Sequence, residues 1–354
     1  MTTKYDRIKG AYLGCAIGDA MGAPTETRPT DLIKRDVGNG RYVKKFVEPR
    51  PDTLAAGQPA GQCTDDFSVS YLSSLAFIEA GGICREAAEK AMVEWSKYDR
   101  YYIAHSGPTS KKAIALIKGE EVDTKNDYAV CNNSAATNGA GMKAWVAGVF
   151  NMGNVEKAIE DAMTMCKVTH DNPVALSAAA AIAAATAVAM TKTSTLDDVV
   201  KAGLYGAHEG YERSWKFAKP SAGASVEDRI RMAVTIGINY ANDFDKLLEE
   251  MAGIVGTGLN ANEAVPAAFG FLVASKGNVM DAIYMGVNCG NDTDTIASMA
   301  GAMAGAYSGA AGIPGAPFPF QHKTSRNGSS PSGGTAHEPR CCQPPRAASA
   351  SAGS

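Results

Sequence analysis

Two short acidic stretches carry most of the chemistry available to this chain. One is "GQCTDDFS", with Thr64, Asp65 and Asp66; the other is "GNDTDTIA", with Asp292, Asp294 and Thr295. Each follows a glycine-containing turn and opens a run with helical spacing, so each is expected at a helix N-terminus. A carboxylate there accepts unpaired backbone N–H groups and is favoured by the helix dipole, which keeps it ionised. Plain capping needs one short oxygen-bearing side chain, whereas each stretch supplies three within four residues. Such a surplus of hard oxygen donors suits Mg²⁺ or Mn²⁺, and a pair of divalent ions would relieve the repulsion among four carboxylates. Capping and metal binding both stay open on the residues alone. Glu26, in "GDAMGAPTE", is a third acidic candidate, either a solvated surface group or one lying near the packed centre. Asp19 in the same stretch reads as a buried group that orients its neighbours.

Competing motifs fail on inspection. Counted as a calcium loop from Asp292, position five is Ile296, position six is Ala297 where glycine is needed, and position twelve is Met303. "GTGLNA", Gly256 to Ala261, nearly matches a dinucleotide fingerprint, but the preceding "KLLEEMAGIV" has helical character, so a turn is expected there. No P-loop is found, and no serine or cysteine lies in an activating motif. Cysteines 15, 63, 84, 131, 166, 289, 341 and 342 show no CxxC and no metal-knuckle spacing, which points to buried thiols in a reducing cytoplasm.

The elements that must position these residues are helical. Leu72, Leu75 and Ile78 recur at three-residue spacing in a run from Asp66 to Ala80 that stops at Gly81-Gly82. Period-two alternation is confined to "GRYVKKFVEP", Gly40 to Pro49, where at most one minor hairpin is expected. Small residues recur every four positions at Gly14, Gly18 and Gly22, at Ala175, Ala179, Ala183 and Ala187, and at Gly301, Gly305 and Gly309. On helices these make smooth ridges that let backbones approach closely, as central helices of a compact bundle would.

At 354 residues and 45% hydrophobic content, the chain is long enough for one large domain or two ordinary ones. A net charge of −3, from 34 basic and 37 acidic residues, gives no cationic field for nucleic acid or an anionic membrane. "PVALSAAAAIAAATAVAM", Pro173 to Met190, falls short of the roughly 20 strongly apolar residues a bilayer span needs and reads as a buried helix. The N-terminus resembles a signal peptide only until Asp19 interrupts it, so export is not expected. From Gly315 to Ser354 the chain is rich in Pro, Gly, Ser and Ala and is expected to be disordered, as an interaction tail, a cloning scar or a shifted reading frame.

Six motifs, in order from about Ile8 to Pro314, resemble the ADP-ribosylglycohydrolases, including the dinitrogenase reductase-activating glycohydrolase type. They are "GAYLGCAIGDAMGAPTE", "GQCTDDFSVS", "ATNGAGMK", "VTHDNPVALSAAAA", "GTGLNANEAVPAA" and "GNDTDTIASMAGAMAGAYSG". The resemblance implies an all-α, compact orthogonal helical bundle over residues 1–314, with a central cleft holding two Mg²⁺ (or Mn²⁺). Thr64, Asp65, Asp66, Asp292, Asp294 and Thr295 would bind the metals, with Glu26, Asp65 and Asp294 as the catalytic set. It further implies that Glu26 orients ribose or activates water, that Asn138 and Gly139 line the ADP-ribose site, and that His170 lies near the nucleotide. The implied enzyme is a cytoplasmic monomer that cleaves ADP-ribose from a modified protein side chain, arginine being the candidate. A nucleoside or ADP-ribose metabolite as substrate, or a non-catalytic crystallin-like relative, are the alternatives, the last disfavoured by the full set of acidic residues. Lys143 stands where many relatives have arginine, and His105-Ser106 where many have an aspartate before the glycine, which leaves the acceptor side open.

Overall fold

A computed structural model describes residues 3–123 and 131–315. Among them are fifteen α-helices: α1 (Lys4–Gly22), α2 (Thr30–Leu32), α3 (Asp65–Ala80), α4 (Arg85–Trp95), α5 (Asp99–His105), α6 (Pro108–Lys118), α7 (Gly141–Phe150), α8 (Val155–Lys167), α9 (Pro173–Ala189), α10 (Leu196–Ser214), α11 (Val226–Asn239), α12 (Phe244–Glu250), α13 (Ala261–Ala274), α14 (Val279–Asn288) and α15 (Thr293–Ser308). The tail expected to be disordered lies, beyond Gly315, outside the described residues.

The glycine ridges decide the packing at the centre. α1 lies against α15 so closely that a Cβ on Gly14 would sit 2.0 Å from the Gly301 carbonyl oxygen, and one on Gly10 2.3 Å from that of Gly305. Gly18 faces Ala297 in the same way, and a Cβ on Gly22 would fall 2.3 Å from the Asp294 Cα. Removing the side chains lets two backbones touch, and it carries the C-terminal end of α1 onto the start of α15. The alanine ridge does the same work in α9, which is buried over nearly its whole length. Gly206 of α10 and Gly148 of α7 meet the carbonyls of Ala180 and Ala183 there, each at 2.5 Å from a notional Cβ. Arg7 joins the two systems: its buried guanidinium donates to Ala189 O at 2.7 Å and Ala306 O at 2.9 Å, and also to Tyr307 O, so one cation sits at the C-termini of α9 and α15.

Two expectations need adjustment, the hairpin and the buried cysteines. The hairpin at residues 40–49 does not form; Val43 instead pairs its backbone N–H and C=O with the Asn288 side-chain amide at 2.8 and 2.9 Å, a side chain satisfying what a partner strand would have. In α3, which ends at the left-handed Gly81 as expected, Leu75 and Ile78 are exposed at 45% and 67%, while Phe67, Ser70, Ser74 and Phe77 face inward. The three-residue spacing marks the helix but not its buried face. Of the cysteines, 15, 63, 166 and 289 are buried, but Cys131 is exposed and Cys84 only half-buried. Among the described residues no helix is long and apolar enough to cross a membrane.

Candidate metal centre and active site

The packing of α1 on α15 delivers Glu26 to the start of α15. Thr25 Oγ1 lies 2.8 Å from both Gly22 O and Val287 O and 2.9 Å from Thr293 Oγ1. The next residues form a backbone clasp: Thr27 N donates to Asn291 O at 2.7 Å and Asn291 N donates to Arg28 O at 2.9 Å. Both Thr27 (φ 65°) and Asn291 (φ 62°) are left-handed, a state that asparagine adopts readily but that costs the β-branched threonine on the order of 1–3 kcal/mol of strain. Glu26 and Asp292 are the immediate neighbours of these two left-handed positions, so the clasp sets their separation.

α3 arrives from the other side of α1. Asp19, fully buried in α1, accepts from Thr64 N at 2.8 Å, from Thr64 Oγ1 at 2.8 Å and from Phe67 N at 2.9 Å. It thereby caps α3 from a different helix. Thr64, the N-cap residue itself, makes no side-chain cap bond. The Asp66 carboxylate accepts only longer contacts, from Thr64 Oγ1 at 3.3 Å, Thr295 Oγ1 at 3.4 Å and Ser298 Oγ at 3.3 Å.

The two acidic helix starts therefore meet. Carboxylate oxygens of Glu26, Asp292 and Asp294 lie within 4.8 Å of one another, and so do those of Asp19, Asp66 and Asp294, leaving Asp294 common to both trios. Asp65 belongs to neither trio and is only partly buried. Thr64 (0% exposed), Asp66 (1%), Asp292 (2%), Asp294 (4%), Thr295 (6%) and Glu26 (8%) are withdrawn from water. Burial and then the fields of Asp292, Asp65 and Asp19 push the Glu26 carboxyl up to about 9. Burial and then Asp19 raise Asp65 to about 7, while Asp66 is held well above the usual carboxylate range by burial and then Asp65. Asp294 is likewise raised, by burial and then Glu26. Among the described residues the charges acting on Glu26, Asp66 and Asp294 are those of neighbouring carboxylates, Asp19 and Asp292 in all three cases, with no lysine or arginine paired to them. Buried carboxylates and hydroxyls crowded together without an organic cation are a donor set that fits hard divalent ions.

A loop from the middle of the chain closes one side. Asn138 donates its side-chain amide to Asp292 Oδ2, and its backbone N–H to Leu259 O at 2.9 Å. The "GTG" segment, a turn as expected, receives Asp292 N at Thr257 O, 2.9 Å away. Gly139 has His170 against its Cα: a Cβ there would lie 2.8 Å from the ring carbon Cε1. His170 is 1% exposed, with Nε2 3.0 Å from Thr137 Oγ1 and Nδ1 2.8 Å from Thr169 Oγ1. Burial, and then the Lys143 charge, hold its imidazole well below the ordinary histidine range, hence neutral. Lys143 lies behind it, donating to Gly139 O and Thr169 Oγ1, each at 2.9 Å. Farther along the chain, His105 Nε2 sits 2.6 Å from Gln58 Nε2, and the hydroxyl of buried Ser106 has no hydrogen-bond partner among the described residues.

The structure thus brings Thr64, Asp66, Asp292, Asp294, Thr295 and Glu26 into one centre, with Asp65 at its edge and Asn138 bonded to it. Gly139 and His170 form the adjoining loop and its floor. Asp19, expected as a buried group that orients its neighbours, does so as a cap in trans, whereas the clasp of Thr27 with Asn291, Ser298, and the carbonyls of Thr257 and Leu259 were given no role from the sequence. Backbone groups and left-handed residues leave no distinguishing spacing in a sequence.

An all-helical fold that joins two acidic helix starts around a cation-poor oxygen cluster offers a donor set that could hold metal ions. Comparison makes this specific. The sequence profile of the family described as ADP-ribosylglycohydrolase matches residues 1–317. The chain is 29% identical over 311 residues to the uncharacterized protein YegU of Escherichia coli (strain K12), covering 86% of this chain and 89% of that protein. It is 25% identical to the ADP-ribosylarginine hydrolase Tri1 of Pseudomonas putida (strain GB-1), covering 87% and 72%. A solved structure described as an ADP-ribosylglycohydrolase-related protein complex superposes with a TM-score of 0.61 at 20% identity, covering 89% of this chain and 92% of that one. The chain belongs to the ADP-ribosylglycohydrolase family, and it is a glycosidic-bond hydrolase acting on ADP-ribose linkages.

Proposed function

We propose that this protein is a divalent-cation-dependent hydrolase that releases ADP-ribose from a modified protein side chain, with arginine as the acceptor. The observation that carries the reading is the shared centre of Glu26, Asp66, Asp292 and Asp294, whose oxygens crowd together without a basic partner. Thr64, Asp66, Asp292, Asp294 and Thr295, with Asp65 at the edge, would hold two Mg²⁺ or Mn²⁺. When bound, such ions polarise ribose hydroxyls and acidify a water. Arginine is favoured as the acceptor by the likeness to a relative named for hydrolysis of ADP-ribosylarginine.

The chain's own residues account for the remaining chemistry. Asn138 and Gly139 line the ADP-ribose site, and His170 beneath Gly139 fixes the floor on the nucleotide side. Glu26, ionised once the neighbouring negative charge is neutralised, accepts a proton from the attacking water as its oxygen bonds to the anomeric carbon. The bond to the side-chain nitrogen breaks with its electron pair, and that nitrogen takes up the proton that Glu26 received from the water. Carboxylates around the anomeric carbon stabilise the positive charge that develops there.

A test pairs binding with turnover. Calorimetric titration of chelator-treated protein with Mn²⁺ is expected to show saturable binding, and incubation with arginine-ADP-ribosylated protein to release ADP-ribose. Absence of Mn²⁺ binding overturns the metal assignment. Release from a nucleoside or free ADP-ribose metabolite, with none from the protein substrate, overturns the acceptor.

A further inference from the structure

Lys143 is one of the largest fully buried side chains, 2% exposed, and its ammonium meets only neutral oxygens. Among the described residues it forms no ion pair; burial disfavours its charge, which the fields of Cys166 and Asp65 offset only in part, an arrangement that is unfavourable for stability alone. Its two bonds run in definite directions. One goes to Gly139 O, at the loop that faces the centre; the other goes to Thr169 Oγ1, which lies 2.8 Å from His170 Nδ1. His170 in turn reaches Thr137 Oγ1 at 3.0 Å. Both ends of the segment 137–139 are therefore tied to one ammonium, at Gly139 directly and at Thr137 through the ring. Between them stands Asn138, whose amide bonds Asp292.

We propose that Lys143 is a positioning residue that pins residues 137–139 in the substrate-receiving geometry before substrate arrives. The pinning is independent of substrate; its consequence for affinity rests on the function proposed above. A loop that is already ordered loses less entropy on binding, so its release weakens affinity with little effect on the chemical step. Two of the four polar contacts in this chain of bonds, both at Thr169 Oγ1, are buried, and removing the ammonium takes its donor from Thr169 Oγ1 and from Gly139 O.

Amide hydrogen exchange on the full chain tests this directly. In Lys143→Met, peptides covering residues 133–142 are expected to exchange about tenfold faster than in the wild type, while those of α9 and α15 are unchanged. Thr169→Val, which cuts only the branch through His170, is expected to produce a smaller change over the same peptides, and Lys143→Arg to restore protection. In calorimetry, Lys143→Met is expected to bind ADP-ribose about tenfold more weakly with Mn²⁺ affinity unaltered. Unchanged exchange at residues 133–142 overturns the proposal, as does a loss of protection spread equally over α9 and α15, which a purely structural lysine would give. Failure of the wild type itself to bind ADP-ribose overturns the substrate reading, while the exchange comparison still decides the role of Lys143.

Discussion

At the start of α9, Asn172 accepts hydrogen bonds from Val174 N at 2.9 Å and Ala175 N at 3.2 Å, with Pro173 at the first helical position. At the starts of α3 and α15, Thr64 and Asp292 occupy the same position and make no side-chain cap bond to the first-turn backbone. Asp19 of α1 takes Thr64 N and Phe67 N, and within α15 Asp294 takes Thr295 N at 3.0 Å. The residue types are alike, but α9 spends its N-cap side chain on its own helix, whereas the N-cap side chains of α3 and α15 make no such bond and lie where the two starts meet. On the function proposed above, a free N-cap side chain separates a helix start that could serve as half of a metal site from one that only begins a helix.

The largest expected effect comes from removing the residue common to both carboxylate trios. Asp294→Ala should abolish Mn²⁺ binding in calorimetry and lower turnover by about three orders of magnitude or more, because both halves of the centre lose a donor. Retained binding would return α15 to the class of ordinary caps. Asp19→Asn preserves shape while removing the charge that caps α3. Mn²⁺ affinity is expected to fall about 10–100-fold with the helix still formed, as for groups that orient metal ligands. An unchanged affinity would mean that Thr64 and Asp66 need no cap in trans.

The response to pH separates the two kinds of helix start without mutation. Asp19, Asp65 and Glu26 are raised to about 6, 7 and 9, chiefly by burial. All three lie above their unfolded values, near 4, so protonation stabilises the fold fully below about pH 4 and this stability is lost as pH rises through 6 to 9. The melting temperature of chelator-treated protein is expected to fall across that range, and saturating Mn²⁺ to remove the fall. A flat profile without the ion would show that the carboxylates are not crowded. The smallest effect belongs to the ordinary start: Asn172→Ala should lower stability by about 1 kcal/mol in denaturant melts and leave Mn²⁺ affinity unchanged.

Helical content, the acidic helix starts and the small-residue ridges were legible in the sequence, because each is a local pattern of residue type and spacing. Six ordered motifs identified the family before any coordinates. The sequence alone did not show that the ridge of Gly14, Gly18 and Gly22 packs on that of Gly301 and Gly305, since complementarity between two helices is a property of the pair. It also left open whether Thr64 and Asp292 were caps, because a cap in trans from Asp19 involves residues 45 and 48 positions apart. Residue type determined what chemistry the oxygens can do. Tertiary structure decided which oxygens are free to do it, because only packing brings separate helix starts together and excludes water and counter-charge from between them.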